Sequence, residues 1–111
     1  MPTTKATQNQ YLYLTTTGRT TGLPREIEIW FVKRNDLFYI LAERFHDAHW
    51  VRNIEAQPVV DCRIGDLSFR ATARILDEHR DESLWKEIQQ LALEKHGWGD
   101  GLPVQIIPDQ S

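Results

Sequence analysis

The alternation of apolar and polar residues predicts that most of this chain is β-structure. Tyr11–Thr17 consists almost wholly of aromatic, β-branched and leucine residues and stops at Gly18, as a strand does before a turn. Arg25–Lys33 alternates cleanly, with Ile27, Ile29 and Phe31 on one face of this predicted second strand. Its other face begins acidic and becomes apolar at Trp30, and we expect a partner subunit or a ligand to cover that end.

Two short polar connections predict β-hairpins. Residues 34–36 join the second strand to Leu37–Ala42, whose low polar content indicates a strand in the sheet interior. Gly65 and Asp66 join two further alternating runs, residues 59–64 and 67–76, through a Gly-Asp turn. Because these connections are too short to hold a crossover helix, the strands that they join are antiparallel.

Helical periodicity occurs in two places. From Asp47 onward apolar residues recur every three or four positions, which predicts a short helix that Asp47 caps and that ends at Gln57. A longer helix is predicted over residues 82–96 and is ended by Gly97. The final apolar run, residues 102–108, is predicted to be an edge-type strand, because the prolines at its two ends cannot donate to a ladder.

This order of elements favours one fold class. It predicts a mainly β fold, an antiparallel barrel with helices at its ends, and it disfavours a doubly wound parallel sheet. We expect residues 11–111 to form a single domain and residues 1–10 to be a flexible amino-terminal segment.

Composition and charge exclude several functional classes. Hydrophobic residues make up 41% of the chain and charged residues 26%, as in an ordinary folded domain. The net charge of −3 argues against a general nucleic-acid binder, which needs a basic surface. There is no apolar run of membrane-spanning length and no hydrophobic segment of the signal-peptide kind. Cys62 is the only cysteine and is expected to be a small buried hydrophobe, so we expect a cytoplasmic protein without disulfides.

Metal and hydrolase chemistry are both poorly supported. Among the four histidines only His46 and His49 are close in sequence, and no cysteine or clustered carboxylate pair accompanies them, so we predict no metal site. The serines lack the setting of a nucleophile elbow, and Cys62 lies within a predicted strand, where a nucleophile would be buried.

The loop between the first two predicted strands is the strongest candidate site. The stretch Thr15–Arg25 combines five threonines, two glycines that permit close backbone approach, and two arginines with forked donors. Such a loop can hold an anion, and in particular a phosphate. The alternative is an ordinary polar hairpin loop whose arginines are solvated.

A second feature points to a planar ligand. Trp50 and Asn53 are three residues apart and share one face of the predicted short helix. Trp50 taken alone is most simply a core residue. Next to a phosphate-binding loop, however, an aromatic and amide face suits a ring, and the combination suggests a flavin-like ligand.

These residues resemble a known family. The features that carry the resemblance are the loop Thr15–Arg25, Ala42, Trp50 with Asn53, Pro58 and the Gly65 hairpin. They are similar to the deazaflavin-dependent nitroreductase and quinone reductase family, which is related to the flavin-binding split β-barrels. The resemblance covers roughly residues 11 to 76.

The resemblance implies a fold and an activity. The fold would be a six-stranded split β-barrel of the FMN-binding type with two helices, and the protein would usually be a homodimer. It would bind the deazaflavin coenzyme F-420 or, alternatively, FMN, and transfer hydride to a small-molecule acceptor: a nitroaromatic, a quinone or an enone. A non-catalytic flavin or deazaflavin carrier or sensor is the alternative function, and a cofactor-free dimerisation domain is a third.

The resemblance also implies site residues. The implied phosphate-binding group is Thr17, Arg19, Thr20, Thr21, Gly22, Pro24 and Arg25, and the residues implied around the ring are Ala42, Glu43, Arg44 and Trp50, with Asn53 bracing the helix. Tyr39, His46 and His49 are candidate donors to the oxygen on which negative charge develops.

One departure from the family pattern leaves the cofactor open. The family loop commonly has lysine where this chain has Thr20, so one cation is missing. Arg44 or Arg52 could replace it. The choice between deazaflavin and FMN therefore stays open.

Overall fold

The computed structural model describes residues 10–109, which form six strands, two α-helices and one 3-10 turn. The predicted flexible segment lies outside these residues, apart from Gln10. The strands are β1 (Tyr11–Thr17), β2 (Pro24–Arg34), β3 (Leu37–Ala42), β4 (Val59–Ile64), β5 (Leu67–Ile75) and β6 (Leu102–Pro108). The helices are α1 (His49–Ala56) and α2 (Glu82–His96), and the 3-10 turn is Phe45–Asp47.

The strands form a closed antiparallel barrel in the order β1-β2-β3-β6-β5-β4. Alternate residues of each strand point inward, and β-branched, aromatic and alanine side chains fill the interior. Leu12, Leu14, Ile40, Val104 and Ile106 are among the fully buried core residues. The predicted six-stranded, mainly β barrel with two helices is confirmed.

The prediction that the last strand is an edge strand is wrong. β6 pairs with β3 on one side and with β5 on the other. Pro103 and Pro108 lie near the two ends of the strand, where a missing N–H removes little of the ladder. The carbonyl oxygen of Pro103 still accepts a hydrogen bond from the Leu76 N–H at 3.1 Å. Because the barrel closes, it has no edge on which the prolines would be needed.

The predicted cap of the short helix is also wrong. Helix α1 begins at His49, and its N-cap residue, Ala48, makes no side-chain capping bond. Asp47 belongs instead to the 3-10 turn, and its carboxylate lies 3.5 Å from Arg52. Phe45 at the start of that turn has φ +53°, a left-handed conformation, which redirects the chain before the helix begins.

Helix α2 covers the apolar end of the outer face of β2. Val32 packs in a cluster with Ile88 and Ala92 of α2, and Trp30 stacks on His96 with ring centroids 4.8 Å apart. Helix α2 of the same chain therefore covers the Val32 part of this end, and cover of Trp30 by a ligand or a partner subunit stays a prediction. Trp30 nevertheless stays 38% exposed.

The lone cysteine is a buried core residue, as predicted. Cys62 is 3% exposed and packs in the barrel core. Burial raises the pKa of its thiol to about 12, so the thiolate needed for nucleophilic or redox chemistry does not form near neutral pH.

Candidate functional site

A groove of about 900 Å³ lies on the outside of the barrel. Its floor is formed by β2 and β3, one end by the β3–α1 connection and the first turn of α1, and the other end by the carboxyl-terminal part of α2. Most lining side chains are aromatic or aliphatic, and a few charged groups lie among them. This is the size and character of a site for a small planar ligand.

The loop after β1 is folded on itself. The Gly18 N–H donates to the Leu23 carbonyl oxygen at 2.8 Å, and the Gly22 N–H donates to the Gly18 carbonyl oxygen at 2.7 Å. Gly22 has φ +74°, which favours glycine. A Cβ on Gly18 would lie 2.9 Å from the Thr21 hydroxyl oxygen, so a larger residue would force the loop open.

Part of this loop is free to bind an anion. Within the described part of the chain, the Thr20 and Thr21 N–H groups make no hydrogen bond. The Arg25 side chain is exposed and makes no hydrogen bond or ion pair to residues 10–109. Its Nε lies beside Gly18, 3.6 Å from where a Cβ would stand. Two amides and a guanidinium at one loop are suitable donors for a phosphate.

Arg19, in contrast, is bound to helix α1. Its N–H donates to Asn53 Oδ1 at 3.2 Å, and its Nη1 donates to the same oxygen at 2.8 Å. Asn53 is 4% exposed, and its Nδ2 donates to the Thr16 hydroxyl at 3.0 Å. Asn53 therefore braces the helix as the resemblance implies, and Arg19 is the residue through which the loop and α1 are joined.

The other implied phosphate residues surround the same loop. Thr17 and Pro24 are paired residues at the ends of β1 and β2, and both are exposed. Thr20, which replaces the common lysine, is exposed in the loop. None of the three adds a positive charge, so Arg25 is the cation of this loop whose side chain has no partner within residues 10–109.

Three of the four residues implied around the ring line the groove, and the fourth is buried elsewhere. Glu43, Arg44 and Trp50 line the groove. Ala42 does not, because it is 1% exposed and packs in a cluster under α1. Of the two proposed replacement cations, Arg44 faces the groove, whereas Arg52 binds Asp47 and the His46 carbonyl oxygen.

Only one of the three candidate donors is exposed in the groove. Tyr39 is 1% exposed, and its hydroxyl accepts a hydrogen bond from Gln105 Nε2 at 3.0 Å. His46 is not a lining residue, and its Nδ1 lies 2.9 Å from Glu55 Oε2. His49 lines the groove, and its Nδ1 lies 3.3 Å from Arg19 Nη2.

An aromatic group at the far end of the groove was missed by sequence reasoning. Tyr11, Trp30, His96 and Trp98 line that end, and the rings of Trp30 and His96 are parallel to within 2°. The available signal was Trp30, an apolar residue on an otherwise acidic strand face. His96 could not be linked to it because the two residues are 66 positions apart.

His96 is held in a setting that disfavours its charged form. Its Nε2 hydrogen-bonds the Phe31 carbonyl oxygen at 2.9 Å, and Lys95 Nζ donates to the same oxygen at 2.9 Å. Burial, and to a smaller extent the Lys95 charge, lower the pKa of His96, whereas the bond to Phe31 opposes this shift.

We expect this histidine to make stability fall on acidification. Because its pKa is lowered on folding, the unfolded chain binds more protons as pH falls below about 6.5, the ordinary histidine pKa. The free energy of unfolding, measured with urea, should therefore fall more between pH 7 and pH 5 for the wild type than for His96→Gln. The difference should be below about 1 kcal/mol, since the ring is partly solvated. Equal losses in the two proteins would contradict the assignment.

Residues 10–109 contain neither a cluster of metal-ligating side chains nor a helix of membrane-spanning character. No group of three or more histidine, cysteine, aspartate or glutamate side chains there is placed to hold a metal ion. None of the helices in that part combines the length and apolarity needed to cross a membrane.

Solved structures share this fold. An F420-H2 dependent reductase aligns with 88% of this chain and 93% of its own, at TM-score 0.66 and 28% identity. The heme storage protein HutZ from Vibrio cholerae aligns with 96% of this chain and 86% of its own, at TM-score 0.76. Its identity is 21%, so the likeness is one of fold. The predicted split-barrel class is thereby confirmed.

Sequence relatives agree with the resemblance. An F420H(2)-dependent quinone reductase of Mycobacterium tuberculosis is 29% identical over 84 residues, which are 71% of this chain and 56% of the relative. The chain thus spans about half the length of the curated relatives it matches. The family model described as F420H(2)-dependent quinone reductase matches residues 3–107. The chain therefore belongs to the F420H(2)-dependent quinone reductase family.

Proposed function

We propose that this protein binds the deazaflavin coenzyme F-420 in the groove and reduces a quinone there. The observation that carries the proposal is the placement of the anion-binding loop beside the groove: Arg19 joins the loop to His49 and Asn53 of α1, and His49 and Trp50 of the same helix line the groove. A ring in the groove and a phosphate at the loop fit this arrangement. Family membership supports the deazaflavin over FMN.

The chain's own groups account for binding and orientation. Arg25 and the free amides of Thr20 and Thr21 offer charge-assisted bonds to a phosphate. Trp50 and the apolar floor of β2 and β3 exclude water from a bound ring. The coenzyme, when bound, supplies the hydride, so the protein needs few reactive groups. Nitroaromatics and enones are further acceptors that we propose for the same open groove.

We also propose that the working form is a homodimer in the cytoplasm. A solved structure described as a domain-swapped dimer is 27% identical to this chain and covers 90% of it at TM-score 0.62. The exposed Tyr11 and Trp30 beside the groove are apolar surface that a second copy could cover. Cytoplasmic location stays a prediction from the single buried cysteine.

The test is a titration followed by a turnover assay. We expect F-420 to bind at micromolar concentration when its fluorescence is followed, and FMN to bind more weakly. Comparison of FMN with riboflavin, which lacks the phosphate, isolates the contribution of the loop. Absence of F-420 and FMN binding at tens of micromolar, about 6 to 7 kcal/mol on the affinity scale, would reject the proposal.

A turnover assay distinguishes a reductase from a protein that only carries the cofactor. Reduced F-420 with a menadione-type quinone should be oxidised at a rate that saturates in both compounds. Tight F-420 binding without quinone-dependent oxidation would instead identify a non-catalytic carrier or sensor.

A further inference from the structure

We propose that Arg19 fixes His49 as the neutral tautomer protonated on Nε2, and that this N–H donates a hydrogen bond to an anionic oxygen bound in the groove. The second half rests on the function proposed above. The first half is a property of the free protein and can be observed without any ligand.

The tautomer follows from the donor inventory of the two side chains. The Arg19 guanidinium carries only donors, and its Nη2 lies 3.3 Å from His49 Nδ1. Nδ1 must therefore present its lone pair to the guanidinium. A neutral imidazole that accepts at Nδ1 carries its proton on Nε2. Protonation of Nδ1 would direct an N–H at a cation and would remove this bond.

Arg19 is itself held in place by three further bonds. Its Nη1 donates to Asn53 Oδ1 at 2.8 Å and to the His49 carbonyl oxygen at 3.4 Å, and its main-chain N–H donates to the same Asn53 oxygen. Asn53 is 4% exposed and is fixed in turn by Thr16. These contacts engage one edge of the guanidinium with helix α1. Arg19 is thus a positioning residue for His49, and Arg25 is left as the loop cation that can reach a ligand.

His49 can act as a donor because it is the member of this network that lines the groove. It lies in the first turn of α1 and lines the groove, together with Glu43 and Arg44 of the preceding connection. The proposed function would place two oxyanions near His49: the coenzyme phosphate at the adjoining loop, and in the groove the oxygen of a quinone that has accepted hydride. An N–H on a neutral ring stabilises either one through a hydrogen bond.

Proton transfer is not assigned to His49. Addition of hydride to a quinone gives a hydroquinone anion, which becomes the hydroquinone when it takes one proton. A neutral His49 that released its Nε2 proton would become imidazolate, so the proton comes from water and His49 only stabilises the charge.

The chain contains a matched control in His46. Its Nδ1 lies 2.9 Å from Glu55 Oε2, a carboxylate oxygen that only accepts, so His46 must carry a proton on Nδ1. His46 and His49 are three residues apart and are predicted to have opposite Nδ1 states. A general effect of solvent or pH on surface histidines would not produce that difference.

Nitrogen-15 spectra of histidine-labelled free protein test the tautomer. In the wild type, long-range proton–nitrogen correlations should show His49 protonated on Nε2 alone and His46 protonated on Nδ1, with His49→Gln used for assignment. In Arg19→Gln, His49 should become a mixture of both tautomers while His46 is unchanged. Arg19→Lys gives the same comparison if Arg19→Gln does not fold, since lysine cannot bind Asn53 and His49 through a fork.

The spectra can contradict the His49 assignment independently of the tests of the reductase function. A protonated His49 Nδ1 in the wild type, or an unchanged His49 in both Arg19 variants, would overturn the assignment even if F-420 binds. The predicted tautomers in a protein that binds no coenzyme would leave this positioning intact and would reject the reductase.

Kinetics identify the oxygen that receives the bond. His49→Leu should lower either the affinity for F-420 or kcat by about tenfold. His49→Gln keeps an N–H near the position of Nε2 and should lower the same quantity by less than about threefold. Weaker F-420 binding with an unchanged kcat identifies the phosphate as the acceptor of this bond. A lower kcat at saturating coenzyme identifies the oxygen of the quinone. If His49→Leu changes neither quantity, the donor role is wrong.

Discussion

Replacing Asn53 by alanine should destabilise the protein by about 2 to 3 kcal/mol. The amide is 4% exposed, accepts two hydrogen bonds from Arg19 through Oδ1, and donates one to Thr16 through Nδ2. The change leaves the buried Thr16 hydroxyl without this donor and removes two of the hydrogen bonds that join Arg19 to the helix. Urea unfolding of the free protein would measure the loss.

Two further experiments test the bond of Asn53 to Thr16 and its bonds to Arg19 separately. Thr16→Val keeps side-chain shape but leaves Asn53 Nδ2 without its acceptor, and should cost about 1 to 2 kcal/mol. Arg19→Ala combined with Asn53→Ala should cost less than the sum of the two single changes, because each removes the bond between Arg19 Nη1 and Asn53 Oδ1. Strict additivity, or a cost for Asn53→Ala below about 0.5 kcal/mol, would show that the amide does not join the loop to α1.

Arg25→Ala should weaken coenzyme binding by about 1 to 3 kcal/mol and leave the stability of the free protein almost unchanged. The Arg25 side chain is exposed and makes no hydrogen bond or ion pair within residues 10–109, so truncating it breaks none of those interactions. It would, however, remove the loop's free guanidinium from a bound phosphate. The measurements are fluorescence titration with F-420 and urea unfolding without it.

Lys33→Ala is the matched control for Arg25→Ala. Lys33 is an exposed cation on the same strand, eight residues further along, at a distance of roughly 26 Å for extended β-structure. Both variants change the net charge by one, but only Arg25 adjoins the loop. Equal weakening in both would indicate long-range attraction rather than a phosphate contact, and a large loss of stability in Arg25→Ala would indicate a structural role.

The two arginines of the loop therefore have different expected effects, although the sequence presents them as equivalent. Arg19 variants should affect stability and the state of His49, because Arg19 is bonded to α1. Arg25 variants should affect binding alone. This division comes from contacts between residues 30 and 34 positions apart, which local sequence does not reveal.

Much of the candidate site could be predicted because its parts are local. The glycines and threonines of the loop, and the pairing of Trp50 with Asn53 on one helical face, depend on spacings of a few residues. The burial of Ala42, by contrast, depends on its packing against residues of α1, α2 and β6. The aromatic end of the groove was missed because Trp30 and His96 meet only when α2 packs across β2.

In the fold, too, features set by neighbouring residues were predicted, and features set by long-range packing were not. Strand alternation and the Gly65–Asp66 turn are determined by backbone sterics within a few residues, and the structure has the strands where the alternation predicts them. The position of β6 depends on closure of the whole barrel, and prolines that indicated an edge are tolerated at the ends of an enclosed strand. The start of α1 depends on the turn at Phe45, whose left-handed backbone no sequence rule for an aromatic residue predicts.

By itself, the sequence determined the number of strands, the antiparallel pairing of those joined by short connections, and a loop whose composition suits a phosphate, because hydrophobic period and glycine placement act over short distances. Only the tertiary structure decided that Arg19 is engaged with α1, that the Arg25 side chain is free of such bonds within residues 10–109, and that His49 rather than His46 or Tyr39 is exposed in the groove. Those distinctions depend on which long-range partner satisfies each polar group, and a partner is chosen only when the barrel closes and its helices pack.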